Sequence, residues 1–330
     1  MRFTLYPLRF EFTARESLYF PRVKATNILR GAFGTIFRQI VCTPECATSI
    51  AAEPTCERRH SCPYATVFAP IATAAGPSGL ADPPRPFVFR ARHLDGRTIH
   101  PGQRFHFDLN LFTPEPAVRA AFVRTFAALA DEGLGPRRGK ADLQRVTRIA
   151  VAGQPEQTLY DAATQNIGEL NTDIDPISFD LAPSPAAPKK IRVEFLSPTE
   201  LKHDHHLVDR PEFPILFARV RDRISTLRML YGDGPLEIDF HAAGLRAAAI
   251  RMTSCNVRRI EATRRSSRTR QTHSIGGFVG TAEYEGDLAE FLPYLEAARW
   301  TGVGRQSVWG KGELSVRILH DEAERLATAV

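Results

Sequence analysis

Hydrophobic and polar positions alternate from the second residue onward. In RFTLYPLRFEFT, Phe3, Leu5, Leu8, Phe10 and Phe12 fall mostly on one side, which predicts a strand over residues 2–13. After Pro21 the period lengthens. Leu29, Phe33, Ile36 and Ile40 recur at helical spacing, predicting a helix with those four positions toward a core. Strands are predicted over residues 87–90 and 104–112, where RFHFDLNLF alternates almost without a break. Pro116 opens a second helix with Val118, Phe122, Phe126 and Leu129 on its stripe; it stops at GLGPRRGK, and residues 141–151 return as a strand. Residues 153–180 show no clear period, and PSPAAPKK around residues 182–190 reads as a linker. The second half opens on the strand IRVEFL. A helix follows with Leu216, Val220, Ile224 and Leu227 on one stripe, then strand candidates at 248–265 and 269–284. The last helix carries Leu288, Phe291, Leu292 and Leu295, and GELSVRIL is the closing strand. Asp287 and Glu290 have the spacing of a capping box, while Pro293 predicts either a kink or a helix that starts there.

Each half therefore reads β-α-β-β-α-β, and each places a glycine-rich turn between its second helix and last strand: GLGPRRGK and TGVGRQSVWGKG. The expected fold class is α+β, two tandem ferredoxin-like domains at residues 1–182 and 190–330. That topology is shared with RNA-recognition modules, although their aromatic RNP signature is absent here. A length of 330 residues suits two domains. No apolar run approaches the ~18 residues of a membrane span. The N-terminal stretch also lacks the basic-then-apolar order of a secretion signal, so the expectation is a cytoplasmic protein with no membrane partner.

Charge changes the picture. The net charge is +6, and Arg outnumbers Lys 37 to 6. Guanidinium binds phosphate bidentately and stacks on bases, so nucleic acid becomes a candidate partner. Residues 251–270, RMTSCNVRRIEATRRSSRTR, hold seven arginines against the single acid Glu261. A solvated hairpin tip would look like this. At such density, however, like charges repel unless a polyanion neutralises them, which marks Arg264, Arg265, Arg268 and Arg270 as candidate contacts. The loop at 301–312 contributes Gly302, Gly304, Gly310 and Gly312 together with Arg305 and Lys311. Two readings stay open: a tight helix–strand connection, or backbone N–H groups and cations cradling phosphate. It is not a P-loop, since G-x-x-x-x-G-K-[ST] is missing.

Four of the five cysteines lie together in a Pro-rich segment at 41–63: Cys42, Cys46, Cys56 and Cys62, spaced C-x3-C-x9-C-x5-C. Such a loop has no core of its own. In a reducing compartment four close thiolates favour tetrahedral structural zinc over disulfides or an iron–sulfur site, with His60 able to replace one thiolate. Cys255 stands alone in a strand-like stretch and reads as a core residue. His203, His205 and His206 in KHDHHLVD are set on a surface loop, with no second ligand cluster at known spacing.

LRGAFGTIFR followed by the cysteine loop, then GLGPRRGKADL, VEFLSPTELK, GGFVGTAEYEGDLAEFLPYL and GVGRQSVWGKGEL resemble, in that order, the CRISPR-associated endoribonuclease of the RAMP superfamily that processes precursor CRISPR RNA. The four-cysteine loop marks a zinc-type subgroup. The resemblance implies binding of the CRISPR repeat, often as a hairpin, and metal-independent cleavage by 2′-OH attack. That reaction leaves a 2′,3′-cyclic phosphate and a 5′-OH. It further implies crRNA and other CRISPR effector subunits as partners, no direct DNA contact, and zinc as a structural rather than catalytic ion. Relatives often carry a His on or just after the first helix, yet residues 21–59 contain none. The same stretch offers Arg30 and Arg38, with Gly34 between them at i, i+4, i+8, where the missing side chain lets RNA or another helix approach. Arginine can stabilise a phosphorane but is a poor proton acceptor. Proton transfer then falls to His273 near the basic hairpin, to a held water or to solvent. Two rival readings are a non-catalytic RAMP subunit that only binds crRNA, and a zinc-stabilised interaction protein.

Overall fold

The computed structural model describes residues 1–42, 62–68, 83–265 and 272–320; side chains are not described for Ala32, Arg264, Arg265, Thr272 and His273. Among the described residues, one compact unit is made by Thr4–Ser178 with Val308–Gly310, and the other by Met1–Phe3, Phe179–Ser307 and the residues after Gly310.

In the first unit, β1 (Arg2–Ala14) lies at the centre of an antiparallel sheet ordered β3-β5-β1-β6-β7, where β3 is Phe87–Arg90, β5 Arg104–Leu111, β6 Ala141–Arg148 and β7 Gln157–Asp161. A short pair, β2 (Leu18–Tyr19) with β4 (Thr98–Ile99), sits apart from it. The alternation predicted for β1 holds, with one correction. Phe3 and Leu5 are odd-numbered and Leu8, Phe10 and Phe12 even, so parity switches near Pro7 and the buried positions use both faces. Two helices cover the inner face: α1 (Ala25–Val41) and α3 (Pro116–Glu132), with the short α2 (Pro63–Phe68) against α1. The core is a phenylalanine cluster. Phe33 of α1 stacks on Phe122 at 4.6 Å and on Phe126 at 5.1 Å, and Phe107 of β5 meets Phe126 at 4.7 Å. Ile40, expected inside, is 37% exposed, because the helical stripe turns through Phe37 instead, which is fully buried. The stretch at 153–180 that showed no period holds β7 and β8 (Ile177–Asp180).

The second unit carries an antiparallel sheet ordered β12-β15-β9-β16, where β9 is Lys190–Thr199, β12 Arg251–Ile260, β15 Gly277–Glu285 and β16 Leu314–Ile318. In both sheets the strand order is second–third–first–fourth of a β-α-β-β-α-β run. The helices are α4 (Phe213–Tyr231), α5 (Phe240–Ala248) and α6 (Leu292–Thr301). Leu216, Val220, Ile224 and Leu227 are buried as their spacing predicts. Phe217 meets Phe291 edge-on at 4.6 Å, and the buried Tyr284 hydroxyl donates to the Pro211 carbonyl at 2.6 Å. The capping box is not formed. Helix α6 starts at Leu292 with Pro293 in its first turn, where a missing N–H costs nothing, and Glu290 instead accepts from Arg246 at 2.6 Å. Helix α5 has no counterpart in the sequence reading, although Asp239 caps it by accepting from the Ala242 N–H at 2.9 Å. Cys255 is half-buried on edge strand β12, on the core side opposite Ala282, so it lines the margin of the core and not its interior. Among the described residues no helix is long and apolar enough to cross a membrane.

Candidate nucleic-acid interface

Helix α1 places Arg30, Gly34 and Arg38 on one stripe, and aromatic rings cover each of the three. Within the first unit, the Arg30 guanidinium lies 3.7 Å from the centroid of Trp309. Gly34 faces Phe68, whose Cε1 would stand 3.5 Å from an added Cβ, so the approaching group is helix α2. Arg38 lies 5.9 Å from the Tyr64 ring centroid. Stacking fixes the plane of a guanidinium, and its N–H donors lie in that plane. The sequence reading missed Trp309 and Tyr64; Trp309 stood in the glycine-rich motif, but nothing in the pattern said which ring would meet which arginine.

The flanks of the cysteine segment are pinned together. Cys42 caps the end of α1, its N–H donating to the Arg38 carbonyl at 2.9 Å, and Cys62 immediately precedes α2. The two helices pack through Phe33–Phe68 at 5.8 Å and Phe37–Phe68 at 5.7 Å. Cys46, Cys56 and His60 lie outside the described residues.

The glycine-rich loop is tightly closed. Gly302, Gly304, Gly310 and Gly312 all have positive φ, between 66° and 77°. A Cβ on Gly312 would stand 1.9 Å from the Val303 carbonyl oxygen, and one on Gly304 2.3 Å from that of Glu200. Gly310 abuts Thr26 of α1, with 2.5 Å from an added Cβ to Oγ1. The Val303 N–H donates to Gly312, the Arg305 N–H to Glu200 and the Gly312 N–H to Pro198. These amides serve loop closure. The cations are held as well: the Arg305 guanidinium donates to Glu200 Oε1 at 2.6 Å, and Lys311 is only 4% exposed. Glu200 was missed because no spacing rule connects it to a residue a hundred positions away.

In the arginine-rich stretch, β12 runs along the sheet edge with Arg251, Arg258 and Arg259 exposed. Beyond it β13 (Thr263–Arg265) pairs with β14 (Thr272–Ser274), setting Arg264 opposite His273 in the backbone register. Arg268 and Arg270 lie outside the described residues. Gln306 of the glycine-rich loop donates to the Ser274 carbonyl at 2.8 Å, which ties the loop to this arm. A separate histidine pair stands in the first unit: His93 and His106 stack with ring centroids 4.4 Å apart. Burial, His93 and Arg9 together push the His106 imidazole below its ordinary range. His106 alternates with the inward Phe105 and Phe107, so the sheet separates it from Arg30 and Arg38 on α1.

Residues 193–314, the strands and helices that carry the glycine-rich loop and the arginine edge, match the family model of the CRISPR-associated endoribonuclease Cas6. Residues 3–172, half of the chain, match the model AF_1859_N, described as an N-terminal domain. By the model that covers half of it the chain belongs to the AF_1859_N family, and its second half is similar to the Cas6 endoribonuclease family. Solved Cas6 structures share the fold. A Cas6 (TTHB231) product complex is 16% identical with a TM-score of 0.52, covering 95% of this chain and 99% of that one. A Cas6 (TTHA0078) product complex is 18% identical with the same TM-score and coverage. Cas6 (TTHB231) from Thermus thermophilus is 16% identical with a TM-score of 0.50, covering 95% of this chain and 98% of that one. No curated protein sequence matches the chain.

Proposed function

We propose that this chain is a Cas6-type endoribonuclease that binds a CRISPR repeat RNA and cleaves precursor CRISPR RNA. The observation that carries the reading is the Cas6 match over residues 193–314, the region holding the exposed arginine edge and the closed glycine-rich loop. Both units are read as ferredoxin-like, on their common second–third–first–fourth strand order. In the cleavage step the 2′-OH oxygen attacks the adjacent phosphorus and the 5′-oxygen leaves. The products are a 2′,3′-cyclic phosphate and a 5′-OH. Arg30, its plane set by stacking on Trp309, and Arg38, with the Tyr64 ring 5.9 Å away, stabilise the charge of the phosphorane. His273, a held water or solvent moves the protons. Arg264, Arg265, Arg268 and Arg270 form the RNA-contacting edge, and the closed loop of Gly302, Gly304, Arg305, Gly310, Lys311 and Gly312 supports it through the Gln306 hydrogen bond to Ser274. Cys42, Cys46, Cys56 and Cys62 hold one structural zinc ion that closes the loop between α1 and α2. The pinned helix ends support that site.

Purified protein incubated with its CRISPR repeat RNA in EDTA tests the reading. Cleavage with cyclic-phosphate ends, blocked by a 2′-deoxy group at the scissile nucleotide, is the expected result. Loss of cleavage on chelation without unfolding overturns the metal-independent step. Absence of both binding and cleavage overturns the function. The missing His in residues 21–59 favours one second reading, a subunit that binds crRNA without cutting it, and the same incubation then gives binding alone. Zinc in freshly purified protein, at about one ion per chain, is the expected elemental result for a four-ligand site.

A further inference from the structure

The glycine-rich loop does more than close on itself. In the second unit it is anchored to the end of β9. The Arg305 N–H donates to the Glu200 carbonyl at 3.0 Å, and an added Cβ on Gly304 would stand 3.0 Å from Leu201 Cδ2, just before the small hairpin β10 (Lys202–His203) and β11 (His206–Leu207). Gln306 then turns the chain. Its φ is 62°, a conformation that residues other than glycine adopt uncommonly, and its side-chain amide donates to the Ser274 carbonyl at 2.8 Å. A short 3₁₀ turn follows, Ser307–Trp309, whose first hydroxyl donates back to the Gly304 carbonyl at 3.1 Å. Within it the chain passes into the first unit, to which Val308–Gly310 belong.

Each of those three residues is seated there. Val308 packs against the phenylalanine-rich core. Gly310, with φ 75°, brings its backbone against Thr26 of α1, so that an added Cβ would stand 2.5 Å from Thr26 Oγ1 and 2.9 Å from Cγ2. The Arg30 guanidinium lies over the Trp309 ring, 3.7 Å from its centroid. Thr26 and Arg30 are one helical turn apart, at i and i+4, so two consecutive loop residues meet two successive turns of one helix face. The missing Cβ at Gly310 sets how closely the loop lies on α1, and with it where the indole stands against that face. A free arginine samples many rotamers; a guanidinium held flat on an indole keeps its in-plane N–H donors aimed one way.

We propose that Trp309 is a positioning residue for the cleavage step: through this ring the Ser307–Trp309 turn orients Arg30, and so contributes to the rate of cleavage rather than to the grip on RNA. The proposal rests on the reading of Arg30 as the group that stabilises the phosphorane. A face of the ring is taken by Arg30 before any RNA arrives, and the residues on either side of it are fixed, one against the core and one on Thr26. Groups fixed in advance act on the transition state more than on ground-state affinity.

The test compares single-turnover cleavage at saturating repeat RNA with repeat affinity, for the full chain and for Trp309→Leu, Trp309→Phe, Arg30→Ala and Trp309→Leu/Arg30→Ala. Trp309→Leu should slow cleavage by roughly 10–100-fold with affinity kept within about twofold, the scale on which a misplaced group costs rate. Trp309→Phe keeps a ring face and should recover most of that rate. In the Arg30→Ala background Trp309→Leu should add nothing, because the two act as a unit. Wild-type rate in Trp309→Leu, an equal loss with and without Arg30, or a loss of affinity at unchanged rate overturns the positioning role. A second readout needs neither RNA nor cleavage. The chain has two tryptophans, so Trp300→Phe leaves Trp309 as the sole indole. In that background Arg30→Ala should make Trp309 more open to acrylamide quenching, and unchanged quenching overturns the stack. A wild type that binds the repeat without cutting it overturns the cleavage reading, and the positioning role with it.

Discussion

The two glycine-rich turns occupy the same place in their units, between the second helix and the last strand, and they hold their cations to different degrees. In the first, Gly133 has φ 117° and an added Cβ would meet the Arg138 carbonyl oxygen at 2.2 Å, yet Arg137, Arg138 and Lys140 all stand exposed. In the second, the backbone is as crowded, but Lys311 is buried, and Arg305, exposed like Arg138, is held by Glu200 at 2.6 Å where Arg138 lies 3.7 Å from Glu132. The glycines answer the same requirement in both: a chain leaving a helix must reverse into a strand without room for Cβ. What the cations do is set by the neighbours each unit supplies. A glycine-rich motif therefore reports loop closure first, and anion binding only where its donors remain presented to solvent.

Substitution of the crowded glycines has the largest expected effect. Gly312→Ala and Gly133→Ala each combine a positive φ with a Cβ driven into a carbonyl oxygen, at 1.9 Å and 2.2 Å. Each should lose about 2–4 kcal/mol in chemical denaturation. Gly102→Ala is the control, since φ is +80° there but no atom lies within 4 Å, and its loss should be about 1 kcal/mol. If Gly312→Ala matched that control, the closure explanation for the second turn would fail.

The comparison of charge is sharpened by binding. If presentation to solvent decides, Arg137→Ala/Arg138→Ala should reduce the salt slope of repeat-RNA binding by about one to two, and Lys311→Ala by less than one. The reverse order would show that Lys311 is released when RNA arrives. Cleavage separates α1 from both turns. Arg38→Ala should slow it by roughly 10²–10³ with affinity largely kept, because the interaction belongs to the transition state. Wild-type cleavage by Arg30→Ala and Arg38→Ala, with His273→Ala inactive, would place the chemistry in the second unit.

Much of this was legible in the pattern, for physical reasons. Period-2 and period-3.6 spacing report which side meets a core. Hence the four core positions of α3 and the four of α4 were readable, and so was the β-α-β-β-α-β core of each half, though not α5, β7 or β8. The failures fall where spacing underdetermines partners. The parity switch in β1 and the exposed Ile40 depend on where packed neighbours end. The Asp287–Glu290 pattern lost to Pro293 and to Arg246, a partner from another helix. At the candidate site, sequence named Arg30, Arg38 and Arg305 but not Trp309, Tyr64 or Glu200, which decide how those guanidiniums are held. Such pairs form across long sequence separations and leave no local signal.

The smallest effect concerns how each unit's ion pairs respond to acid. Glu283 on β15 accepts from Arg192 at 2.6 Å and lies 3.2 Å from Lys190, with its side chain 15% exposed. The hydrogen bond from Arg192, then Lys190, holds its carboxyl below the ordinary glutamate range. Asp131 in the first unit is likewise lowered by its hydrogen bond from Arg15, but it is 73% exposed. A folded-state value below the unfolded one means that the pair stabilises above the ordinary carboxylate range, and that this contribution is lost as pH falls through the lowered value. Both pairs should therefore steepen the acid limb of a stability–pH profile. Salt tells them apart, since screening weakens an exposed pair far more than a sheltered one. At 0.5 M salt, Glu283→Gln should still flatten the acid limb, while Asp131→Asn should follow the wild type. Equal flattening by the two variants at high salt would mean that the second unit holds its cations no more firmly than the first, and the contrast between the two turns would lose its generality.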